Sequence, residues 1–171
     1  MKNLISILAL TMVTFLGYSQ DLDKDENTIE LEDVVMSLNR DYLVLVQDAM
    51  TPPEVARLQL KAANYDVRKH PEFSEDVETD VFEMAFRNSK GAIHAFYDNQ
   101  GKIESAFERF HDVVLPREVL LEILNSYKGY NMVSNLYVSS YDQKKDNLNR
   151  SYKIDLENGI NKRTVKIDPP K

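Results

Sequence analysis

The histidines are the first side chains to test for chemistry. The chain has three of them, His70, His94 and His111, and it has no cysteine. None forms an HExxH, HxxH or HxGH pattern, so the sequence offers no zinc-protease or nucleotidyltransferase motif. Because His94 and His111 fall on or beside neighbouring predicted strands, they are either a metal-binding pair or two unrelated, partly buried imidazoles.

Nucleophilic and carboxylate chemistry find as little support. No G-x-S-x-G elbow is present, and without cysteine there is no thiol nucleophile. The chain has 5 Gly and no glycine-bearing phosphate loop. Glu104 and Glu108 stand about 13 Å apart by strand rise, too far for a glycosidase dyad, and we expect both to be solvated strand charges. The sequence therefore predicts no catalytic residue.

An acidic segment at 21–33 (DLDKDENTIELED) raises the question of calcium. Asp21, Asp23, Asp25 and Glu32 fall at positions 1, 3, 5 and 12 of a calcium-loop register. Glu26 stands at position 6, where the sharp turn of that loop needs glycine. A calcium site on these four residues is one interpretation, and a solvated acidic linker fits the composition better. No other cofactor is predicted.

An aromatic strand face is the candidate for partner binding. Tyr137 and Tyr141 share one face of a predicted strand, opposite the face that carries Leu136. If their face is open, the two tyrosines form a patch of the kind that anchors protein interfaces. Phe96 and Phe110 join that patch if their strands present the same face. The alternative is ordinary cross-strand packing on a half-exposed sheet.

The first nineteen residues have the form of a signal peptide. Met1-Lys2-Asn3 is a positively charged start, and residues 4–17 form an apolar run that is shorter than the ~20 residues that span a bilayer. Gly17 and Ser19 are small residues placed for cleavage after Ser19. The alternative is a membrane anchor or a buried helix. We expect a periplasmic or secreted protein with no membrane span after cleavage.

The charge and composition of the full chain limit the possible functions. The 171 residues include 21 Lys+Arg and 28 Asp+Glu, which gives a formal net charge of −7. This acidity disfavours a general nucleic-acid binder, which needs a basic footprint. Hydrophobic residues make up 43% of the chain, which is typical of a globular protein. The length predicts one domain or two small repeats with a common core.

The first half of the chain predicts one helix and three strands. Thr51-Pro52-Pro53-Glu54 is a capping-box start for a helix of about 52–65. Alternating residues predict strands at 79–88, 92–98 and 102–110, with Ile103 and Phe107 on one face of the third. Turn signals at 88–91 and 98–101 make these strands an antiparallel meander. Residues 34–36 and 42–46 are further strand candidates.

The second half repeats this order. Leu115-Pro116 opens a helix that ends at Lys128-Gly129. Its apolar stripe comprises Val119, Leu120, Ile123, Leu124 and Tyr127. Strands follow at 131–141, 150–156 and 160–167, with a hairpin turn at 157–159. The sequence therefore predicts an α+β domain at 34–168, after an acidic linker at 20–33. Within it, two tandem helix-plus-three-strand repeats, about 51–111 and 115–167, form an antiparallel sheet with helices on one face.

Three motifs carry a family resemblance. They are Tyr97-Asp98-x-x-Gly101-Lys102-Ile103, then Leu115-Pro116-x-x-Val119-x-x-x-Ile123-x-x-x-Tyr127-x-Gly129-Tyr130, then Tyr152-Lys153-x-x-Leu156-x-x-Gly159. Together they resemble the PepSY-like, β-lactamase-inhibitor-like exported proteins of Bacteroidetes-type bacteria. The chain departs from that pattern at Lys128, where the family often has proline, and it lacks the family's closing glycine hairpin. The resemblance implies a small periplasmic or secreted module whose relatives by fold bind or inhibit proteins through the sheet.

These observations predict an exported, non-catalytic binding module that recognises a protein or cell-envelope component through an open sheet face. An inhibitory role is the extension that the resemblance implies. The alternative is a periplasmic small-ligand or Ca²⁺ binder. A third class, a small enzyme, has no nucleotidyltransferase or hydrolase motif to support it.

Overall fold

The computed structural model describes residues 38–73, 81–145 and 147–169. The helices are α1 (Arg40–Val46), α2 (Pro53–Ala63) and α3 (Arg117–Ser126), with 3₁₀ turns at Val67–Lys69 and Gln143–Lys145. The strands are β1 (Phe82–Arg87), β2 (Gly91–Tyr97), β3 (Ile103–His111), β4 (Asn131–Asp142), β5 (Asn147–Asn158) and β6 (Asn161–Ile167). The predicted signal peptide at 1–19, the linker at 20–33 with Asp21, Asp23, Asp25 and Glu32, and the strand candidate at 34–36 lie outside the described residues.

All six strands form one antiparallel sheet, in the order β1-β2-β3-β4-β5-β6. Each strand therefore pairs with the next strand along the chain. Tight turns join several of them, and Gly101 and Gly159 take the positive φ angles of 83° and 60° that these turns require. The prediction of an α+β fold with an antiparallel sheet is confirmed.

The core lies between one face of this sheet and the helices. Residues that alternate along every strand point to it, and each of the three helices adds buried apolar side chains. Val55, Leu58 and Ala62 come from α2, and Val119 and Ile123 come from α3. The largest fully buried side chains are tyrosines: Tyr42, Tyr97, Tyr137, Tyr141 and Tyr152. We call this face of the sheet the inner face.

Helix α2 begins where the sequence predicts, but its predicted capping box does not form. Pro52 is the N-cap residue, and no side chain caps the helix. The Thr51 hydroxyl instead donates to the carbonyl of Val46, at 2.9 Å. Glu54 accepts a hydrogen bond from Lys90 at 2.8 Å. The fixed φ of proline in the first turn starts the helix without help from these side chains.

The structure corrects two further predictions, a strand at 42–46 and the apolar stripe of α3. Residues 42–46, expected as a strand, belong to α1, where Tyr42 and Val46 are buried one turn apart and Val44 is 68% exposed. In α3, Leu120 and Leu124 of the predicted apolar stripe are 40% and 58% exposed, because the helix turns only its Val119 and Ile123 side into the core. None of the described helices is long and apolar enough to cross a membrane.

Strand β3 contains a bulge that changes which residues share a face. Tyr97 pairs with Ile103 and the preceding Phe96 pairs with Ser105, so Glu104 is the extra residue. Because of this insertion, Ile103 is buried while Phe107 is 56% exposed. The prediction that Ile103 and Phe107 share a face is therefore wrong, and the bulge turns Phe107 to the outer face of the sheet.

Candidate functional site

The predicted aromatic patch lies mostly in the core. Tyr137 and Phe110 are 0% exposed and Tyr141 is 2% exposed, so the expectation that they form an open face is wrong. The fourth member, Phe96, belongs to the outer face and packs edge-on against Phe107, with ring centroids 6.0 Å apart. Tyr137 and Leu136 do lie on opposite faces of their strand, but the tyrosine face is the one that packs against the helices.

Hydrogen bonds inside the core explain why the tyrosine face is the buried one. Tyr97 donates to the carbonyl of Ala62 at 2.8 Å, and the Tyr152 hydroxyl donates to the carbonyl of Met50. A buried tyrosine needs such a partner for its hydroxyl, and here helix α2 and the loop between α1 and α2 supply the backbone acceptors. The tyrosines of the inner face therefore bind the helical layer to the sheet and do not meet solvent.

Glu108, expected to be solvated, is 3% exposed at the centre of the inner face. Gln59 of α2 donates to both of its carboxylate oxygens, at 2.9 Å and 3.0 Å. Tyr42 of α1 donates to Oε1 at 3.1 Å and Tyr137 donates to Oε2 at 3.3 Å. Burial raises the pKa of Glu108, although these hydrogen bonds act in the opposite direction. The carboxyl group is enclosed and joins two helices to the sheet.

The outer face carries the side chains that solvent can reach. Strand registers place them in rows that run across the strands. We define the basic band as three neighbouring rows: Arg87, Ala92, Arg109, Val138 and Ser151; Ala85, His94, Phe107, Ser140 and Asn149; His111, Leu136, Lys153 and Lys166. None of these residues is buried.

The charge of the basic band is one-sided. Its three rows hold two arginines, two lysines and two histidines, and no aspartate or glutamate. Carboxylates occupy the rows that border the band. Glu83 and Asp142 lie in the row next to that of Phe107, and Asp155 lies in the row next to that of Lys153. Within the part of the chain that the structure describes, Lys166 pairs with Asp168 at 2.7 Å, while Arg87, Arg109 and Lys153 form no ion pair.

A groove on this face lies beside the exposed aromatic ring. Its volume is about 650 Å³, and its lining includes Arg87, Lys90, His94, Phe107, Arg109 and His111. Among the described residues of the six strands, Phe107 is the most exposed aromatic side chain, at 56%. An exposed phenylalanine flanked by arginines is the composition that interface anchors favour. This groove and the basic band form the candidate site.

The two strand histidines do not form a metal pair. His94 faces Glu83, with Nδ1 2.5 Å from Oε1. His111 lies four residues beyond Phe107, the strand partner of His94, which is about 13 Å along the strand. Among residues 38–73, 81–145 and 147–169, no group of three or more His, Asp or Glu side chains is arranged to hold a metal ion.

A second cavity of about 650 Å³ lies where β5 extends beyond β6. Strand β6 pairs with Tyr152–Asn158 only, so residues 147–151 of β5 lack a described neighbour on that side. The cavity lining includes Asp48, Leu148, Arg150, Lys166 and Asp168. The Arg150 side chain is 5% exposed and donates to Asp48 at 2.6 Å and to the carbonyl of Val46 at 2.8 Å. Arg150 is thus committed to holding the loop after α1.

The arginines and Phe107 of the candidate site were missed in the sequence. Arg87 and Arg109 lie on different strands, and only the register through Ala92 shows that they are neighbours. Phe107 would have been found had the bulge at Glu104 been recognised. In comparisons with known proteins, no family model, no curated protein and no solved structure matches the chain.

Proposed function

We propose that this protein is an exported, non-catalytic binding module that recognises a protein partner through the outer face of its sheet. The observation that carries the proposal is Phe107, 56% exposed at the centre of that face and packed edge-on by Phe96. A large aromatic ring held in place by a neighbour, yet open to solvent, loses little entropy when a partner covers it. Nearby arginines add charge-assisted contacts.

Sequence features support an exported location and a binding role. The start of the chain has the form of a signal peptide, which favours a periplasmic or secreted location. The motifs quoted above resemble the PepSY-like, β-lactamase-inhibitor-like exported proteins, and that resemblance suggests an inhibitory role. We also interpret the two helix-plus-three-strand halves, about 51–111 and 115–167, as tandem repeats that present one continuous binding face. The acidic chain makes nucleic acid an unfavourable partner.

The buried carboxyl group supports binding without catalysis. A general acid or base must come within hydrogen-bond reach of its substrate. Glu108 is 3% exposed, and its carboxylate oxygens accept hydrogen bonds from Gln59, Tyr42 and Tyr137. Burial of this carboxyl group is the largest cause of its raised pKa.

Pull-down from a periplasmic extract of the source bacterium tests the proposal. Wild type is compared with Phe107→Ser on the outer face and with Leu124→Ser on α3, which is 58% exposed and removes a similar apolar area from the helical side. We expect wild type and the Leu124→Ser variant to recover the same partner protein in equal amounts, and the Phe107→Ser variant to recover none of it. Equal recovery by all three proteins would show that the outer face is not the binding surface.

Small-ligand binding is a second candidate, favoured by the cavity beyond the end of β6. Its lining brings Asp48, Arg150, Lys166 and Asp168 together around a volume of about 650 Å³. Opposite charges at the rim of a cavity can orient a polar ligand. Calorimetric titration of the mature protein with periplasmic small-molecule extract, and with Ca²⁺ for the acidic residues Asp21, Asp23, Asp25 and Glu32, tests this candidate. Absence of saturable heat would remove it.

A further inference from the structure

The basic band is an exception on an acidic protein. The chain has a formal net charge of −7, yet the strand residues of three adjacent rows of the outer face include arginine, lysine and histidine and no carboxylate. Two of these residues contact a carboxylate outside the rows, His94 with Glu83 and Lys166 with Asp168. An acidic protein repels anionic partners at long range, and a local positive field on one face gives such a partner a single place to approach. The charge pattern therefore points to the chemistry of what this face binds.

Arg87 and Arg109 are the centre of this field. They flank Ala92 in one row, and two strand spacings place their backbones about 10 Å apart. The residue between them in this row, Ala92, has only a methyl side chain. Because both arginines are exposed and form no ion pair among the described residues, both are available to a carboxylate brought by a partner.

Apolar side chains alternate with these cations. Phe107 lies two residues before Arg109 on the same face of β3, about 7 Å away along the strand. Val138 stands beside Arg109 in its row, and Leu136 lies between His111 and Lys153 in the next row. The face therefore offers apolar and cationic positions in alternation, each within one strand spacing of the other.

From this arrangement we propose that the basic band binds an acidic polypeptide segment, in which carboxylates face Arg87, Arg109 and Lys153 while apolar side chains cover Phe107 and Val138. This deepens, and rests on, the proposed function of the outer face. A segment that crosses five strand positions spans about 20 Å and needs about seven extended residues. Rows with Glu83 and Asp142 on one side and Asp155 on the other repel the segment and keep it in the band.

Two other anionic partners fit the band less well. An anionic polysaccharide presents hydroxyl groups, which the serine and asparagine side chains of the band can bind, but it has no large apolar groups to cover Phe107 and Val138. An anionic membrane surface favours several apolar side chains that protrude beyond the charges, whereas Phe107 is the one large apolar side chain of the band that is exposed, and Leu136 and Val138 are half-buried. The alternation of charge and apolar side chain matches a polypeptide better than either.

Fluorescence anisotropy with the full mature chain tests the proposal. The probe is a labelled peptide of about eight residues in which glutamate and leucine alternate. We expect saturable, salt-sensitive binding that weakens about tenfold in the double variant Arg87→Gln/Arg109→Gln. The matched control is Lys61→Gln/Arg117→Gln, which removes the same charge from exposed positions of α2 and α3 and should bind like wild type.

Three results would overturn the proposal: no binding of the peptide, an equal loss in the control variant, or tighter binding to dextran sulfate or to phosphatidylglycerol vesicles than to the peptide. Each can be told apart from failure of the proposed function. If Phe107→Ser abolishes recovery of a protein partner while Arg87→Gln/Arg109→Gln does not, the outer face is the binding site and its partner is not acidic. If neither variant affects recovery, the proposed function itself fails.

Discussion

The side-chain amide of Gln59 donates to both carboxylate oxygens of Glu108, at 2.9 Å and 3.0 Å. This pair joins helix α2 to strand β3 through the middle of the core. Two further donors, Tyr42 and Tyr137, complete the shell around the carboxylate. Because this carboxyl group is buried and its pKa is raised, its protonation contributes to the pH dependence of stability.

The variant Glu108→Gln should change how stability depends on pH. Burial raises the pKa of Glu108, so the folded protein keeps a proton that the unfolded chain has already released. The free energy of unfolding therefore falls as the pH rises from the ordinary glutamate pKa through the raised one. Glutamine carries no titratable proton. We therefore expect the free energy of unfolding of the variant to be about 1 kcal/mol higher than that of wild type at neutral pH. Urea denaturation across this pH range measures the difference.

The control for this experiment is Glu104→Gln on the same strand, where the carboxylate pairs with Lys144 at the surface. Glu54 and Asp66, whose pKa values are lowered, contribute the opposite slope, but they are present in every variant and cancel in the comparison. Parallel pH curves for wild type and Glu108→Gln would contradict the prediction.

Gly91→Ala should be far more damaging than Gly159→Ala. A Cβ atom at Gly91 would lie 2.0 Å from the carbonyl oxygen of Arg109 and 2.7 Å from Cα of Phe110, so the backbone of β2 or β3 must move. We expect a loss of at least about 3 kcal/mol in the free energy of unfolding. At Gly159 no atom lies within 4 Å, and only the φ of +60° costs energy, about 1 kcal/mol. Equal losses in chemical denaturation would refute the close approach at Gly91.

Asn39→Leu should cost about 2 kcal/mol or more, because it leaves a buried backbone donor without its partner. Asn39 is 1% exposed, and its Oδ1 accepts from the amide of Ile103 at 2.8 Å. Its amide group donates to the carbonyls of Ala63 and Gly101, at 3.2 Å and 3.3 Å. Hydrogen exchange should show faster exchange at Ile103. The control is Asn99→Leu, at an exposed position in the turn between β2 and β3. An equal loss of stability in the control would argue against this explanation.

Phe107→Ala and Tyr137→Ala should differ sharply in stability. Phe107 is 56% exposed on the outer face, so its removal should change the free energy of unfolding by about 0.5 kcal/mol. Tyr137 is fully buried and donates to Glu108, so its removal should cost about 3 to 5 kcal/mol. Thermal denaturation of the two variants measures the contrast. If Tyr137→Ala were as stable as Phe107→Ala, Tyr137 would not lie in the core.

The order of helices and strands could be predicted from turn, cap and alternation signals, because these signals are local. Gly101, Gly159 and Pro53 each mark a boundary that the structure confirms. The strand expected at 42–46 is wrong because a short apolar run fits either period, and only the burial of Tyr42 and Val46 together decides for a helix.

The candidate site could not be predicted because it depends on relations between strands. Alternation showed that Tyr137 and Leu136 point to opposite faces, but not which face the helices cover. Hydropathy favours leucine inside, whereas here the tyrosine hydroxyl has a buried acceptor in Glu108 and the tyrosine faces inward. The pairing of Arg87 with Arg109 across Ala92 follows from register, which no local signal gives.

The sequential order of the strands has a consequence for how the chain folds. Since each strand pairs with the next one in the chain, strand pairing is local, with residues 112–130 between β3 and β4 as the longest connection, and local pairing favours rapid folding. The longest closures come from β5, where Arg150 and Tyr152 reach back 104 and 102 residues to the carbonyls of Val46 and Met50. Strand pairing is therefore local, whereas the contacts of α1 and α2 with β3 and of α1 with β5 are long-range and link the whole domain.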